Sequence, residues 1–505
     1  MSDVLARLRR LGEPFMQDLS RAQWMVGAGY ASSIDLRGIH AQHAEALSGD
    51  SLDAAREAYR AAAAGSEEQR SARALLDWQV EAQASRATAE LEERELEWES
   101  AAVIALDDGR RLPYQRAAIE IANATDRRER LMLDRKRSTL VARELAPIRR
   151  ERFDREREVV AELDIAPSYV AAIEAISALP LRALAAQCEA FLRDTRDMSR
   201  DLLAHTLKRE LGVDPDDAQR SDGLALARSP QFDGAFPPSD LEPAIRRQIA
   251  EMGLDPESDG RIIYDTSERD GKRARAFCAP VRIPGEVYLV LRPHGGATDW
   301  STLLHEAGHA LHFANMGSAL PFEHRWLGDN SVTEGYAMLF DHRMQDAGWL
   351  RRYSGLRGAD IARFLRRTAG TELRMIRRYC AKLLYELDLH GDEIPAAQIP
   401  DRYAERLSDA TGFRYSADDA YADVDPRFYA GRYLQAWQLQ AVLADTLTQQ
   451  FNEDWWRNPG AGPWLRDELF AAGQRETAGE LALRVAGGAL SFAPLIVAIE
   501  RLIES

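Results

Sequence analysis

The sequence has few cysteines, no long apolar run and no excess of positive charge. Its three cysteines, Cys188, Cys278 and Cys380, are too few and too scattered for a disulfide framework or a cysteine-type zinc site. The net charge of −16 argues against a general nucleic-acid binder, since such proteins need positive charge. The N-terminus lacks a signal-peptide run, and the longest apolar stretch, 487–499, is far shorter than a membrane span. We therefore expect a cytoplasmic protein that binds neither nucleic acid nor membrane.

Composition and periodicity predict a mainly α-helical chain. Residues 1–165 are rich in Ala, Leu, Glu and Arg, and their apolar residues recur at three- and four-residue spacing, which is typical of helices. We expect them to form an N-terminal helical lobe. Residues 166–260 are predicted to begin as helix and to include a linker or lobe boundary at 212–243, where Pro, Gly, Ser and Asp are frequent.

The periodicity changes in the third predicted region, 261–505. Three strands are predicted there, at 261–264, 274–283 and 286–291, separated by turn signals. Helix returns near Asp299 and continues to the end of the chain. The sequence therefore predicts one small β-sheet beside the first helix of this region.

That helix carries a metal-binding pattern. Six of the ten histidines fall between positions 294 and 342, and His305-Glu306-Ala307-Gly308-His309 lies among them. On a helix, residues four apart share one face, so both imidazoles can reach one zinc ion. Glu306 would then lie beside the metal and take the proton from a zinc-bound water.

A catalytic zinc needs a third protein ligand. Glu334, in the next predicted helix, is the natural candidate, and Glu323, in a predicted loop, is the alternative. His312 cannot share the ion with both other histidines, because seven residues of helix span roughly 10.5 Å. His312 either lines a cleft or is a core histidine.

Several segments in this region resemble one family of peptidases. They are Gly271-Lys272-Arg273, Ala276-Phe277-Cys278, the strand at 287–291, and the run from Thr302 to His312. Together with Glu334 they resemble the core of the thimet oligopeptidase/oligoendopeptidase F family of zinc metallopeptidases. The resemblance implies a two-lobed helical body with a deep substrate channel, one zinc ion per chain, and short unstructured peptides as substrates. It implies His305, His309 and Glu334 as zinc ligands, and His312, Ala276 and Phe277 as substrate-binding residues.

A downstream segment, Phe428-Tyr429-Ala430-Gly431-Arg432-Tyr433, resembles the part of that family that carries its transition-state tyrosines. A phenol near zinc can donate a hydrogen bond to the developing oxyanion. Tyr433 is the first candidate for this role and Tyr429 the alternative. The chain departs from the family pattern at Ala436, where some members have tyrosine, and at Val424, where some have histidine.

Three functions are compatible with these patterns. The main hypothesis is a zinc endopeptidase in which the strand at 286–291 offers an open edge to the peptide backbone. The second is a metallocarboxypeptidase of the thermostable type, although that family's His-Pro-Phe and Asp-x-Arg-x-Thr segments are absent. The third is a non-catalytic peptide-binding protein, against which the complete set of metal and base residues argues. The sequence does not define an oligomeric state.

Overall fold

A computed structural model describes residues 2–273, 275–391 and 393–504. It is mainly α-helical and contains two small β-sheets, so the predicted fold class is confirmed.

The first third of the chain is a series of helices with one hairpin. The helices are α1 (Ser2–Gly27), α2 (Leu36–Gln42), α3 (Gly49–Ala61), α4 (Glu67–Ala101), α5 (Ala117–Asn123), α6 (Arg127–Leu140) and α7 (Ala146–Glu162). Between α4 and α5, strands β1 (Val103–Ala105) and β2 (Arg111–Pro113) pair antiparallel. This hairpin is an addition to the single predicted sheet, and its turn contains Gly109 at φ +84°.

The second segment is helical as well. Its helices are α8 (Tyr169–Ser177), α9 (Leu181–Asp194), α10 (Arg196–Glu210), α11 (Arg220–Arg228) and α12 (Pro238–Glu251). Helix α11 and the start of α12 lie within 212–243, so this stretch is not an extended linker. A capping box between Gln219 and Asp222 begins α11, and prolines in the first turn suit the start of α12. The domain boundaries after 165 and 260 stay predictions.

The second sheet contains the three predicted strands, β3 (Ile262–Asp265), β4 (Phe277–Arg282) and β5 (Glu286–Val290). Its order is β3-β5-β4, with β3 parallel and β4 antiparallel to β5. The predicted open edge at 286–291 is therefore wrong, because both sides of β5 are already paired. Strand β4 begins later than predicted, and Ala274, the first residue of the predicted strand, lies outside the described residues.

Helices make up the rest of the chain. They are α13 (Ala297–Ala314), α14 (Phe322–Trp326), α15 (Asn330–Asp341), α16 (Ala347–Tyr353), α17 (Ala359–His390), α18 (Ile399–Thr411), α19 (Tyr429–Phe451), α20 (Ala461–Trp464), α21 (Ala478–Ala486) and α22 (Ala493–Glu504).

Two large hydrophobic clusters hold these elements together. The first surrounds α13 and contains Trp300, Leu304, Trp349, Leu439 and Phe470. The second joins the N-terminal helices to α9, α17 and α19, through residues that include Leu8, Leu75, Phe191, Leu373 and Leu434. The second cluster thus draws on all three predicted segments of the chain.

Among the described residues, no single helix combines the length and the apolar character needed to cross a membrane. Within the described ranges, the bent pair of α8 and α9 meets those criteria when the two helices are taken together, and they are inclined at 99° to each other.

Helices α13 and α15 approach each other closely at Gly308. A Cβ atom at this position would lie 2.6 Å from Cα of Ala337 and 2.9 Å from the carbonyl oxygen of Tyr336. Both neighbours are backbone atoms, so no side-chain rotation relieves the contact. A glycine is therefore needed where the helix of the His-Glu pattern meets the helix of Glu334.

Substituting Gly308→Ala tests this close approach. Alanine has the higher helix propensity, but the added methyl group forces the two backbones apart, and we expect a loss of roughly 1–3 kcal/mol in the free energy of unfolding. The measurement is denaturant unfolding followed by circular dichroism.

Gly479→Ala is the matched control, because Gly479 also lies in a helix and a Cβ there meets nothing within 4 Å. We expect this variant to be neutral or stabilised by up to about 1 kcal/mol. Equal stability of the two variants would contradict the need for close packing at Gly308.

Candidate metal centre and active site

Three side chains from α13 and α15 converge on one point. Nε2 of His305 lies 3.2 Å from Oε2 of Glu334, and Nε2 of His309 lies 3.6 Å from the same oxygen. One potential ligand atom from each of the three residues lies within 4.8 Å of the others. The two histidines share a face of α13 because they are four residues apart, as the sequence predicts. These residues form a candidate metal site.

The chemistry of the three atoms fits a divalent cation. Oε2 of Glu334 is buried and has no hydrogen-bond partner of ordinary geometry among the described residues. A buried carboxylate oxygen without a partner is costly, and a cation bound at this point would satisfy it. Two imidazole nitrogens and one carboxylate oxygen are also the ligand types found in catalytic zinc sites.

Two residues that the sequence analysis missed hold the imidazole rings. Nδ1 of His305 lies 2.9 Å from Oδ2 of Asp341, and Nδ1 of His309 lies 2.9 Å from Oγ1 of Thr333. When Nδ1 carries the proton and donates it to these partners, Nε2 keeps its lone pair for a metal. A signal existed in the sequence, since Asp341 is seven residues after Glu334 and thus on the same face of α15.

The electrostatics around His305 follow from these carboxylates. Burial lowers the pKa of His305, but its contacts with the carboxylates of Asp341 and Glu334 outweigh this effect and raise the pKa to about 10. Burial likewise raises the pKa of Glu334, while the two histidines more than compensate and hold it well below its usual range. The carboxylates of Asp341 and Glu334 thus favour a positive charge at His305.

Glu306 lies at the junction of α13 and the sheet. Its Oε2 accepts a hydrogen bond of 2.9 Å from the backbone N–H of Cys278 on β4. This contact fixes the carboxylate and leaves its other oxygen free for a proton. Burial and the nearby Glu306 carboxylate raise the pKa of the Cys278 thiol well above its usual value, so the thiol stays protonated and is no nucleophile.

The two candidate tyrosines occupy different positions around Glu334. The hydroxyl of Tyr429 donates a 2.9 Å hydrogen bond to Oε1 of Glu334, the oxygen that faces away from the histidines. The hydroxyl of Tyr433 makes no hydrogen bond to another described residue, and its ring contacts Tyr429 and Tyr379 at 5.1 and 5.4 Å between centroids. Burial and the charge of Glu334 raise the pKa of Tyr433, which keeps its hydroxyl protonated.

The backbone just before α19 is unusual. Arg427 and Phe428 both adopt left-handed conformations, with φ of 51° and 58°, which non-glycine residues rarely adopt. The guanidinium of Arg427 pairs with Asp77 and Glu81 on α4, and Phe428 is completely buried. These contacts hold the strained turn that sets the direction of Tyr429 at the start of α19.

The remaining sequence candidates lie elsewhere. His312 is completely buried against Tyr336 and Phe470, so its position is that of a core histidine and not of a cleft residue. Burial lowers its pKa to about 3, so the ring is neutral. Glu323, the alternative ligand, begins the short helix α14 and pairs with Arg9 on α1, which removes it from the metal site.

Phe277, the second candidate substrate-binding residue, is the first residue of β4, and Ala276, the third, directly precedes it. Both lie close in sequence to the N–H group of Cys278 that binds Glu306. Ala276 is 5% exposed and belongs to the core around α13, so its side chain offers no contact surface. Phe277 is half-buried, and its ring packs against Gly27 at the end of α1. Of the two, only Phe277 presents side-chain surface.

A cavity of about 330 Å³ lies beside the site. It is bordered by α1, α4 and the segments that precede α15 and α19, through residues that include Phe15, Leu19, Trp78, Trp326, Arg427 and Tyr429. Apolar and aromatic walls with a few charged groups are typical of a binding site for a small organic molecule or a peptide side chain.

Comparisons with known proteins show the same fold in two solved structures. The M32 carboxypeptidase from Deinococcus radiodurans R1 is 14% identical, with a TM-score of 0.65 over 100% of this chain and 99% of its own. The carboxypeptidase from Pyrococcus furiosus, in an apo-Mg form, is 13% identical, with a TM-score of 0.59 over 99% of this chain and 98% of its own. No protein-family model matches the chain, and no curated protein matches it in sequence.

At this level of identity the likeness shows the fold alone. It supports the expected helical peptidase architecture but not the thimet oligopeptidase/oligoendopeptidase F family in particular, because both structures are carboxypeptidases.

Metal retention tests the candidate centre. Glu334→Gln replaces the charged ligand by a neutral amide of the same shape, and we expect it to lose most of the bound zinc, because carboxylate ligation requires the charged oxygen. Glu306→Gln is the control, since it alters a neighbouring carboxylate outside the ligand set and should keep about one zinc per chain. The measurement is elemental analysis after purification without chelators. Equal zinc content in both variants would remove Glu334 from the ligand set.

Proposed function

We propose that the protein is a zinc-dependent carboxypeptidase that removes residues from the C-terminal ends of unstructured peptides. The observation that carries this proposal is the convergence of His305, His309 and Glu334 beside Glu306, within a fold shared over its full length with two carboxypeptidases. The geometry of the site supports the hydrolysis of an amide bond, and the likeness of the fold supports cleavage at the chain end.

A zinc ion held by the two histidines and Glu334 would polarise the scissile carbonyl group and acidify water. Glu306 is positioned as the general base, because the N–H of Cys278 holds one of its oxygens and the other is free to accept a proton from the attacking water. The same carboxyl group can then deliver the proton to the departing amine.

The tyrosines divide two tasks between them. Tyr429 orients Glu334 by binding its outer oxygen, which directs the inner oxygen towards the histidines. Tyr433 keeps a protonated hydroxyl that has no partner among the described residues. This hydroxyl is therefore suited to donate a hydrogen bond to the oxygen that gains negative charge in the transition state.

A carboxypeptidase also needs a cation for the terminal carboxylate of its substrate, and Arg275 meets this requirement. It lies three residues before Cys278, is exposed, and forms no ion pair or hydrogen bond with any described residue. Its guanidinium is close enough to Tyr433 to favour the ionised phenolate electrostatically. A guanidinium binds a carboxylate with two parallel hydrogen bonds, so Arg275 can anchor the chain end near the reacting carbonyl.

The resemblance of the sequence to oligoendopeptidases makes internal cleavage the second candidate function. A C-terminal amide separates the two, since it removes the charge that a carboxypeptidase recognises and leaves internal bonds unchanged.

The decisive experiment compares one N-blocked peptide as free acid and as amide, with products identified by mass spectrometry. We expect stepwise loss of residues from the free acid and at least roughly 10-fold slower cleavage of the amide, since a hydrogen bond to a charged group contributes about 1.5–3 kcal/mol. Arg275→Ala should raise KM for the free acid and reduce the difference in cleavage rate between the acid and the amide. Arg273→Ala is the control, because Arg273 is an exposed neighbour that stacks on Phe277, and this variant should preserve the difference in rate.

Glu306→Gln is the chemical control in the same assay. We expect it to retain zinc and to lose about 10²–10⁴-fold in kcat, the range of positioned proton transfer. Internal cleavage of acid and amide at equal rates would contradict the carboxypeptidase proposal and favour the endopeptidase. No cleavage of either peptide by the zinc-loaded protein would contradict both and favour a binding protein.

Phenylalanine substitutions test the division between the tyrosines. Tyr433→Phe should lower kcat on the order of 10²-fold and leave KM and zinc affinity unchanged, because its hydrogen bond strengthens only as charge develops. Tyr429→Phe should weaken zinc binding by about 10-fold, the low end for a partner of a metal ligand. Steady-state kinetics and chelator competition on each variant give both quantities. The opposite pattern would exchange the two roles.

A further inference from the structure

His342 is one of the six histidines between 294 and 342, and neither the ligand set nor the proposed chemistry uses it. It follows directly on α15, whose last residue is Asp341. Its Nδ1 lies 2.6 Å from Oδ1 of Asp341, whose other oxygen binds the metal-site residue His305. Its Nε2 is hydrogen-bonded to Oε1 of Glu372 on α17. Four side chains thus form one continuous series from the metal site to a third helix.

This series is enclosed by protein. The side chains of His342, Asp341 and Glu372 are 11%, 18% and 8% exposed. Each ring nitrogen of His342 faces a carboxylate oxygen, so the ring satisfies both partners only when it carries two N–H donors. Burial lowers the pKa of His342, but the charges of Glu372 and Asp341 outweigh it and raise the pKa to about 10. His342 is therefore a fixed imidazolium between two carboxylates.

Asp341 needs such a support. An aspartate has two rotatable side-chain bonds, and a single hydrogen bond to His305 leaves its second oxygen without a fixed direction. Arg343, the next cation along the chain, acts on Asp341 only through its charge, since its Nε donates to the carbonyl oxygen of Leu339 and its guanidinium stacks on Trp455. His342 supplies the second hydrogen bond to Asp341, and Glu372 prevents the His342 ring from turning away.

We propose that His342, braced by Glu372, is a positioning residue that fixes Asp341, and through it the ring of His305, and thereby sets the affinity of the site for its metal ion. The inference rests on the proposed metal-dependent function. Partners of metal ligands typically change metal affinity by about 10–100-fold. His342 would extend this effect one residue further from the metal site, across the contact between α17 and the turn that follows α15.

The test measures the zinc dissociation constant by chelator competition on the full-length protein. His342→Phe keeps an aromatic ring and removes both hydrogen bonds, and Glu372→Gln keeps the shape and removes one charge. We expect roughly 10-fold weaker zinc binding in each, and a changed visible spectrum of the Co²⁺-substituted protein, because the geometry at His305 is altered. If His342→Phe does not fold, the zinc dissociation constant of the conservative Glu372→Gln variant still tests the proposal.

His324→Gln is the matched control. His324 is also buried, and its Nε2 also pairs with a glutamate, at 3.0 Å from Glu67, but it lies outside the metal site. We expect this variant to bind zinc as tightly as the wild type. An equal loss of affinity in His324→Gln would mean that any broken buried pair loosens the protein, and would overturn the proposal.

A double-mutant cycle separates positioning from general stabilisation. Because His342 acts through Asp341, its substitution should have little further effect on zinc affinity in the Asp341→Asn background. Fully additive losses would overturn the inference, as would unchanged affinity in both His342→Phe and Glu372→Gln. A wild-type protein that binds no zinc would reject the proposed function itself, and this inference with it. Zinc binding without peptide cleavage would reject only the proposed function.

Discussion

The close contact between α13 and α15 is the constraint on which the site depends. The histidines belong to one helix and Glu334 to the other, so the distance between the two helix axes determines whether their ligand atoms meet. That distance is small because Gly308 has no side chain at the crossing point, where a Cβ would lie 2.6 Å from the backbone of Ala337. Residues 331–340 of α15 are all buried, which leaves the helix no room to shift. Metal–ligand bonds tolerate deviations of only about 0.2 Å, so a rigid crossing of this kind is what such a site requires.

A second pattern is that the groups at the centre are held from behind by further residues. Asp341 and Thr333 bind the outer nitrogens of the two histidines, Tyr429 binds the outer oxygen of Glu334, and the N–H of Cys278 binds Glu306. The inner atoms are thereby directed to one point. The same contacts connect α13 and α15 to β4 and α19. The site is therefore fixed by contacts between four separate elements rather than by one loop.

The sequence predicts the part of this arrangement that is periodic. Residues i and i+4 of a helix share a face whatever surrounds them, so the pairing of His305 with His309 follows from spacing alone. Glu334 is the natural candidate for the third ligand because it lies in the next predicted helix, but the sequence also leaves Glu323 as an alternative. The three strands were also predictable, because alternation and turn residues mark them locally.

What the sequence does not predict depends on tertiary contacts. The order β3-β5-β4 depends on a parallel pairing between β3 and β5, and local pattern carries no information about which strand lies in the middle. His312 and His342 both belong to the group of six histidines between 294 and 342, yet one packs in an apolar core and the other lies between two carboxylates. The linker expected at 212–243 reflects the frequency of Pro, Gly and Ser, which here begin and end short helices instead.

The groups that hold a metal do not determine whether a peptidase cleaves internal or terminal bonds. A His-Glu-x-x-His helix with a later glutamate is sufficient to hold a metal and activate water, and that chemistry is the same wherever the bond lies in the peptide. Local segments around the motif therefore resemble one peptidase family, while the path of the whole chain matches carboxypeptidases at 14% and 13% identity. The choice of bond depends on groups a few ångströms away that bind or exclude a chain end. Arg275, whose guanidinium forms no ion pair with another described residue, lies outside any short motif. For this reason the surroundings of a metal site, rather than the metal site itself, distinguish the two activities.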